Sequence, residues 1–293
     1  MITSDFTGNL GNHLFQYAIT REIAERKGFS WGFTKYIYGD YYSGKSQMDF
    51  MDIDYGVQPV INIVNEYQEK NINIGGHTNV QQLDDFNGLR DNTKLVGCWQ
   101  TEQYFNGLKV QQWFKIKNSI ISEFNDRLIT NNIVLDDNTC IINIRGGEYK
   151  AHSALLLPNS YWYNAINYMK SINANMNFIV ISDDVNYAQS IFPNYHCVHF
   201  DICGDYCVVN RAKYLILSNS SFAWFPAWLN NDVKYVIAPK YWARYNNSDG
   251  YWANGNIFVK NWLYLSRENR LQTYNEVVNE LKNSRYAVYY KGL

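Results

Sequence analysis

The segment best suited to hold an anion is Asn143-Ile144-Arg145-Gly146-Gly147-Glu148, an arginine and a glutamate set around two glycines at the end of an apolar run. A guanidinium can fork onto a phosphate or carboxylate. Glu148, three residues on, can act as a general base or bind a hydroxyl, and a surface ion pair at a strand end is the alternative. Ser182-Asp183-Asp184 ends a second apolar run. Paired aspartates there can cap the next helix, hydrogen-bond a nucleobase or ribose, or chelate a divalent cation on a nucleotide diphosphate. Ser218-Asn219-Ser220-Ser221-Phe222 leads into the apolar Ala223–Leu229. Hydroxyls and N–H groups at such a helix start either cradle a pyrophosphate or simply cap the helix.

Two further groups are open to more than one reading. Gly8-x-x-Gly11-Asn12 lies between an apolar segment and a helical pattern, where glycines permit close approach and free N–H groups favour an anion. Its spacing is not that of the dinucleotide fingerprint, so a tight turn without a ligand competes with a binding loop. His196, Cys197, His199, Cys203 and Cys207 are zinc-capable side chains. In an extended segment Cys197 and His199 face one side and His196 the other, so only part of the set can converge.

These residues need elements to place them. Met1–Phe6 reads as a short strand, the glycine loop follows, and Leu14, Phe15, Ala18, Ile19 and Ile23 recur at helical spacing up to a closing Gly28. From about Tyr36 to Thr93 only turns such as Gly39-Asp40 and Gly75-Gly76 stand out, and the elements stay open. After the apolar run Leu95–Trp99, strands and helices alternate from Cys140 onward. The strands are Cys140–Ile144, Phe178–Ile181, His196–Phe200, Leu215–Leu217 and Tyr235–Ala238. The helices are Tyr161–Met169, Val185–Ile191, Asp205–Ala212 and Phe222–Leu229, and Leu271–Leu281 is expected to be one amphipathic helix. Continuous apolar strands separated by helices imply a parallel sheet covered on both faces, with ligands beyond its C-terminal ends. The turn Leu135-Asp136-Asp137-Asn138 places a boundary between domains 1–135 and 136–293.

Composition narrows the function. At 293 residues there is room for two ordinary domains. The 26 Lys plus Arg against 27 Asp plus Glu, without a basic stripe, argue against nucleic acid as a partner. The opening residues lack a signal-peptide pattern and no apolar stretch is long enough to span a membrane, so a cytoplasmic location is expected. Five cysteines, an odd number, fit reduced thiols better than a disulfide framework. The 25 Tyr and 9 Trp suit either sugar-binding platforms or an aromatic core.

Taken together the segments resemble the α-1,2-fucosyltransferase family, glycosyltransferase family 11. Gly8–Ala18 looks like the family's GGLGNQMFQYA and Gly97–Phe105 like GYFQSEKYF. Asn143–Glu148 falls where the family has H-x-R-R-x-D, Ser182–Asp184 where it has FSDD, and Asn219–Leu229 where it has NSTFSWWGAWL. Ala238–Trp242 resembles APKxW. The resemblance implies a GT-B-like α/β enzyme with two facing Rossmann-like domains and parallel sheets, an acceptor-side N-terminal domain and a donor-binding C-terminal one. It also implies an inverting transfer without a metal or other cofactor, the partners being a nucleotide-sugar donor, GDP-fucose, and a glycan acceptor. Arg145 would hold the donor pyrophosphate, with Ser220, Ser221 and Phe222 beside it. Asn143 and Asp183 would lie near the base, and Gly8, Gly11 and Asn12 would close onto the donor from the first half. Glu148 is the candidate general base, with His152 behind it.

The chain departs from the family pattern at Asn143, Gly146 and Glu148, where the family has histidine, a second arginine and aspartate, and at His13 and Phe225-Pro226. One guanidinium fewer is a loss of ~1.5 to 3 kcal/mol of contact to a diphosphate. A transferase for another nucleotide sugar, or a weakened relative that only binds glycans or nucleotides, is therefore the alternative.

Overall fold

The computed structural model describes residues 1–33, 47–74, 78–243, 245, 255–284 and 287. The turns expected at Gly39-Asp40 and Gly75-Gly76 lie outside them. Contacts divide the chain into two compact units, one on Met1–Ile120 and the other on Ile121–Ala253 and Phe258–Lys291, with Asn254–Ile257 counted in the first.

In the first unit β1 (Ile2–Ser4) leads through the glycine loop into α1 (Leu10–Lys27). Gly28 ends that helix at φ 69°, the left-handed turn that the sequence expects. β2 (Asn65–Gln68) is followed by the antiparallel pair β3 (Asn71–Ile74) and β4 (Thr78–Gln81), and then by β5 (Thr93–Val96). β5 pairs in parallel with both β1 and β2. The helix α2 (Gly107–Trp113) comes next, and α3 (Asn118–Thr130) begins in this unit but belongs to the second from Ile121 on. Much of the aromatic surplus is core here: Tyr17 and Phe6 each stack on Phe33 at 4.9 Å, and Trp99 and Phe86 are wholly buried. Arg21 lies 4.6 Å from the ring centres of both Trp31 and Trp113, a cation between two indoles.

The second unit is the doubly wound half. Its elements are β6 (Thr139–Ile144), α4 (Asn159–Ile172), β7 (Asn177–Ser182), α5 (Val185–Ile191), β8 (His196–Val198), α6 (Ile202–Arg211), β9 (Tyr214–Ile216), α7 (Ser221–Trp228), β10 (Tyr235–Pro239), β11 (Leu263–Leu265), β12 (Leu271–Thr273) and α8 (Tyr274–Lys282). The sheet order is β12-β11-β10-β9-β6-β7-β8, parallel except for β12. Every residue of β6 is buried, as a central parallel strand requires. Two units, each built on parallel strands with helices, give the α/β class that the alternating pattern implies.

Three expectations change. The expected boundary at 135/136 falls inside the second unit, because α3 belongs to that unit over most of its length. Arg127 bonds Asp201 at 2.8 Å and Phe124 meets Phe200 edge-on. The C-terminal pattern is not one helix: Leu271–Thr273 pairs antiparallel with β11, and Thr273 then starts α8 with a reciprocal capping box to Glu276. The strand expected to run to Phe200 stops at Val198, where His199 and Phe200 turn toward Asp205. Lys240, fully buried after β10, donates to Gln272 and Glu280 at 2.8 Å each and fastens α8 to the sheet. Among the described residues no helix is long and apolar enough to cross a membrane.

Candidate functional site

Strand register assembles the site in the second unit. Ile144 of β6 stands opposite Ser182 of β7, so the next residues out, Arg145 and Asp183, emerge side by side at the C-terminal edge. Arg145 ion-pairs with Asp183 through Nη1 and donates from Nη2 to Glu148 at 2.9 Å. The other oxygen of Asp183 accepts the Gly146 N–H at 2.8 Å. Side chains of Arg145 and Asp183 are about a quarter exposed, at 23% and 25%, so the cluster is open to a ligand without being fully solvated.

The next aspartate does a different job. Asp184 caps α5 by accepting the Tyr187 N–H at 2.9 Å and ion-pairs with Lys150. The Lys150 ammonium, followed by the cap, holds its carboxyl below the usual carboxylate range. Each aspartate thus pairs with its own cation, and only Asp184 also caps a helix. Asp183 sits against Arg145 and Asp184 closes the helix.

On the other side of β6, Ser218 after β9 donates to the buried Asn143 side chain at 3.1 Å. Asn219 is also buried, and its Nδ2 donates to the carbonyls of Leu155 at 2.9 Å and Trp242 at 2.5 Å. Ser220 caps α7 by accepting the Phe222 N–H at 3.3 Å, and Ser221 opens the helix. Tyr149 links the two sides: Arg145 lies 5.6 Å from its ring centre, and its hydroxyl donates to the Asn219 carbonyl at 3.3 Å and is bonded to Ser220. Burial pushes the Tyr149 hydroxyl above its ordinary pKa. A depression here is lined by Arg145, Tyr187, Ser218, Asn219 and Trp162, whose indole N–H has no hydrogen-bond partner among the described residues.

Glu148 is exposed on the short 147–151 turn, and His152 is exposed just past it. Arg145, Asn143, Asp183, Glu148, Ser220, Ser221 and Phe222 thus belong to one neighbourhood, while Gly8, Gly11 and Asn12 belong to the first unit. There Gly8 takes φ 74° and its carbonyl accepts from His13 Nε2 at 3.0 Å. Burial drives the His13 imidazole pKa down to about 4, so it is neutral at physiological pH. Asn12 accepts from Gln100 at 2.8 Å, and Gln16 donates to Thr7 and to the Gly97 carbonyl. Glu69 accepts the N–H groups of Cys98 and Trp99 at 2.8 Å each. The two segments of the first unit that resemble family motifs therefore meet and brace each other.

The cysteine and histidine set does not form a metal centre. Among the described residues no group of three His, Cys, Asp or Glu side chains could hold a metal ion. His199 instead bonds the buried Asp205 at 2.6 Å, which raises the imidazole pKa. Sequence reading missed Tyr149, Lys150 and Trp162. Tyr149 and Lys150 directly follow Glu148, and their position on the strand-end turn is the one signal that could have drawn attention to them.

A family model described as "Glycosyl transferase family 11" matches residues 60–266. The O-antigen biosynthesis glycosyltransferase WbnK of Escherichia coli is 32% identical over 150 residues, 46% of this chain and 49% of that protein, so the alignment spans about half of that relative. An alpha-1,2-colitosyltransferase of Escherichia coli is 27% identical over 274 residues, 83% of this chain and 92% of that one. Among solved structures, fucosyltransferase NodZ from Bradyrhizobium aligns at a TM-score of 0.47 with 12% identity, covering 80% of this chain and 94% of that one. POFUT1 in complex with GDP aligns at 0.48 with 9% identity, covering 81% and 97%. The matched family span takes in both the strand that ends at Arg145 and the helix start at Ser220, and on that extent of agreement the chain belongs to glycosyl transferase family 11.

Proposed function

We propose that the chain transfers a sugar from a nucleoside diphosphate donor to a hydroxyl of a glycan, with inversion and without a metal, in the specific form of L-fucose from GDP-fucose in α-1,2 linkage. The observation that carries the reading is Arg145 beside Asp183 at the C-terminal edge of a parallel sheet, linked through Tyr149 to the capped start of α7. The leaving group is a nucleoside diphosphate. An arginine together with a helix N-terminus can meet the charge that develops on it, a task a cation performs elsewhere. Ser220 and Ser221 supply hydroxyl and N–H contacts to the same group, and Asn143 and Asp183 lie toward the base. Glu148, exposed at the rim, is the base that takes the acceptor proton. The α-1,2 linkage draws support from the name of the colitosyltransferase relative, which also keeps a donor sugar other than fucose in view.

Thermal unfolding with excess GDP, UDP, CMP or dTDP in EDTA tests the reading. A ligand at 100 times its dissociation constant stabilises by ~2.7 kcal/mol, a shift of a few degrees for a chain this size. A selective shift with GDP is expected. A shift with another nucleotide replaces the donor, and no shift with any overturns the reading.

A further inference from the structure

Lys150 is a second cation on the edge that carries Arg145, and its partner is held in place. The lysine leaves the 147–151 turn about half exposed, at 49%, pairs with Asp184, and sits 6.0 Å from the Tyr187 ring centre. Asp184 is tied down independently of the lysine. Its Oδ1 caps α5, and its own N–H and carbonyl both bond Ser182 Oγ at 3.1 Å. If Lys150 swings away, the carboxylate stays.

Position 146 itself has no room for a side chain at these strand ends. A Cβ at Gly146 would stand 2.9 Å from Asp184 Cβ and 2.9 Å from Tyr187 Cδ1. A diphosphate arriving at this edge carries at least two negative charges and finds Arg145 already shared between Asp183 and Glu148. One guanidinium engaged in this way leaves the ligand under-compensated. The nearest further positive charge along the chain is Lys150.

We propose that Lys150 is a second diphosphate-binding residue of the donor site, latched to Asp184 when the site is empty and passed to the donor's phosphate oxygens when it fills. This rests on the donor reading above and deepens it. Only hydrogen bonds and ion pairs are exchanged: the ammonium leaves Asp184 Oδ2, which water then solvates, and takes a phosphate oxygen. Such a latch opposes binding by the strength of the pair that must break. Removing the lysine and removing the aspartate's charge therefore act in opposite directions on affinity. A purely structural ion pair would make both removals act alike.

The test is calorimetric titration of the full chain with GDP, UDP, CDP and dTDP in EDTA. Whichever nucleotide binds wild type is then titrated into K150M, K150R, D184N, the K150M/D184N double variant and R145A. Asparagine keeps an oxygen for the Tyr187 N–H, so D184N retains the helix cap, and D184S, a second capping residue, stands in if D184N fails to fold. With one charge-assisted contact at stake, K150M is expected to weaken binding about tenfold and K150R to stay within about twofold. D184N is expected to tighten binding about three- to tenfold, and to do nothing when Lys150 is already methionine. Unchanged affinity in K150M, or weaker or unchanged binding in D184N, overturns the latch. If binding is present in wild type and lost in R145A while K150M is unchanged, the inference about Lys150 fails and the donor reading stands. If no nucleotide binds wild type, both fail.

Discussion

Arg145 and Asp183 meet because Ile144 and Ser182 are register partners in adjacent parallel strands, and the same carboxylate that takes the guanidinium also fixes the Gly146 N–H. The arginine is thereby aimed before any ligand arrives, which limits the ordering cost of binding.

Replacing Arg145 by alanine should lower kcat/KM for sugar transfer by about 10- to 100-fold, the worth of one charge-assisted contact. Lysine should recover part of this loss, since it restores the charge without the planar fork. Steady-state kinetics with varied donor concentration checks both.

The close approach at Gly146 sets a second expectation. Alanine there would press on Asp184 and Tyr187 at 2.9 Å, forcing the turn or α5 to shift. Overpacking of this kind costs about 1–3 kcal/mol, visible as a lower melting temperature.

Asn219 is expected to tolerate little. Aspartate has the same shape but turns two buried N–H donations, to Leu155 and Trp242, into carboxylate facing carbonyl. An unmade buried hydrogen bond costs about 1–3 kcal/mol and a charged one more. N219D should therefore unfold several degrees below wild type by calorimetry and bind the donor more weakly.

His13 gives the first unit an acid sensitivity. Its folded pKa, depressed to about 4 by burial, lies below the unfolded value of 6.5. The stability it contributes is present above the unfolded value and is lost as pH falls toward 4, because the unfolded chain takes up the proton first. The full effect is on the order of 3 kcal/mol. His13→Gln, which can still donate to the Gly8 carbonyl, should flatten the denaturation midpoint between pH 6.5 and 4, whereas an unchanged pH profile would count against the burial argument.

Much of the second unit is legible in the sequence, since strands such as Cys140–Ile144 are continuous apolar runs and their ends carry the polar residues. Legibility fails where pairing decides. Leu271 fits a helical stripe, yet β11 recruits it as a strand, and Thr273 starts the helix two residues later. In the first unit the Glu69 carboxylate braces the backbone at Cys98 and Trp99 from 30 residues away, a contact that no local pattern announces. Within the site, Arg145, Asp183 and Ser220 stand out by type and position. Lys150 and Tyr149 gain meaning only when the turn is folded back on β7 and α7.

The most direct measurement is transfer of labelled fucose from GDP-fucose to a galactose-terminated glycan in EDTA, by wild type and by the Arg145→Ala variant side by side. Product from wild type with an α-1,2 linkage by NMR, and a loss of about 10- to 100-fold in the variant, is the expected result. Nucleotide binding with no transfer of any sugar, or transfer that does not depend on Arg145, would contradict the account.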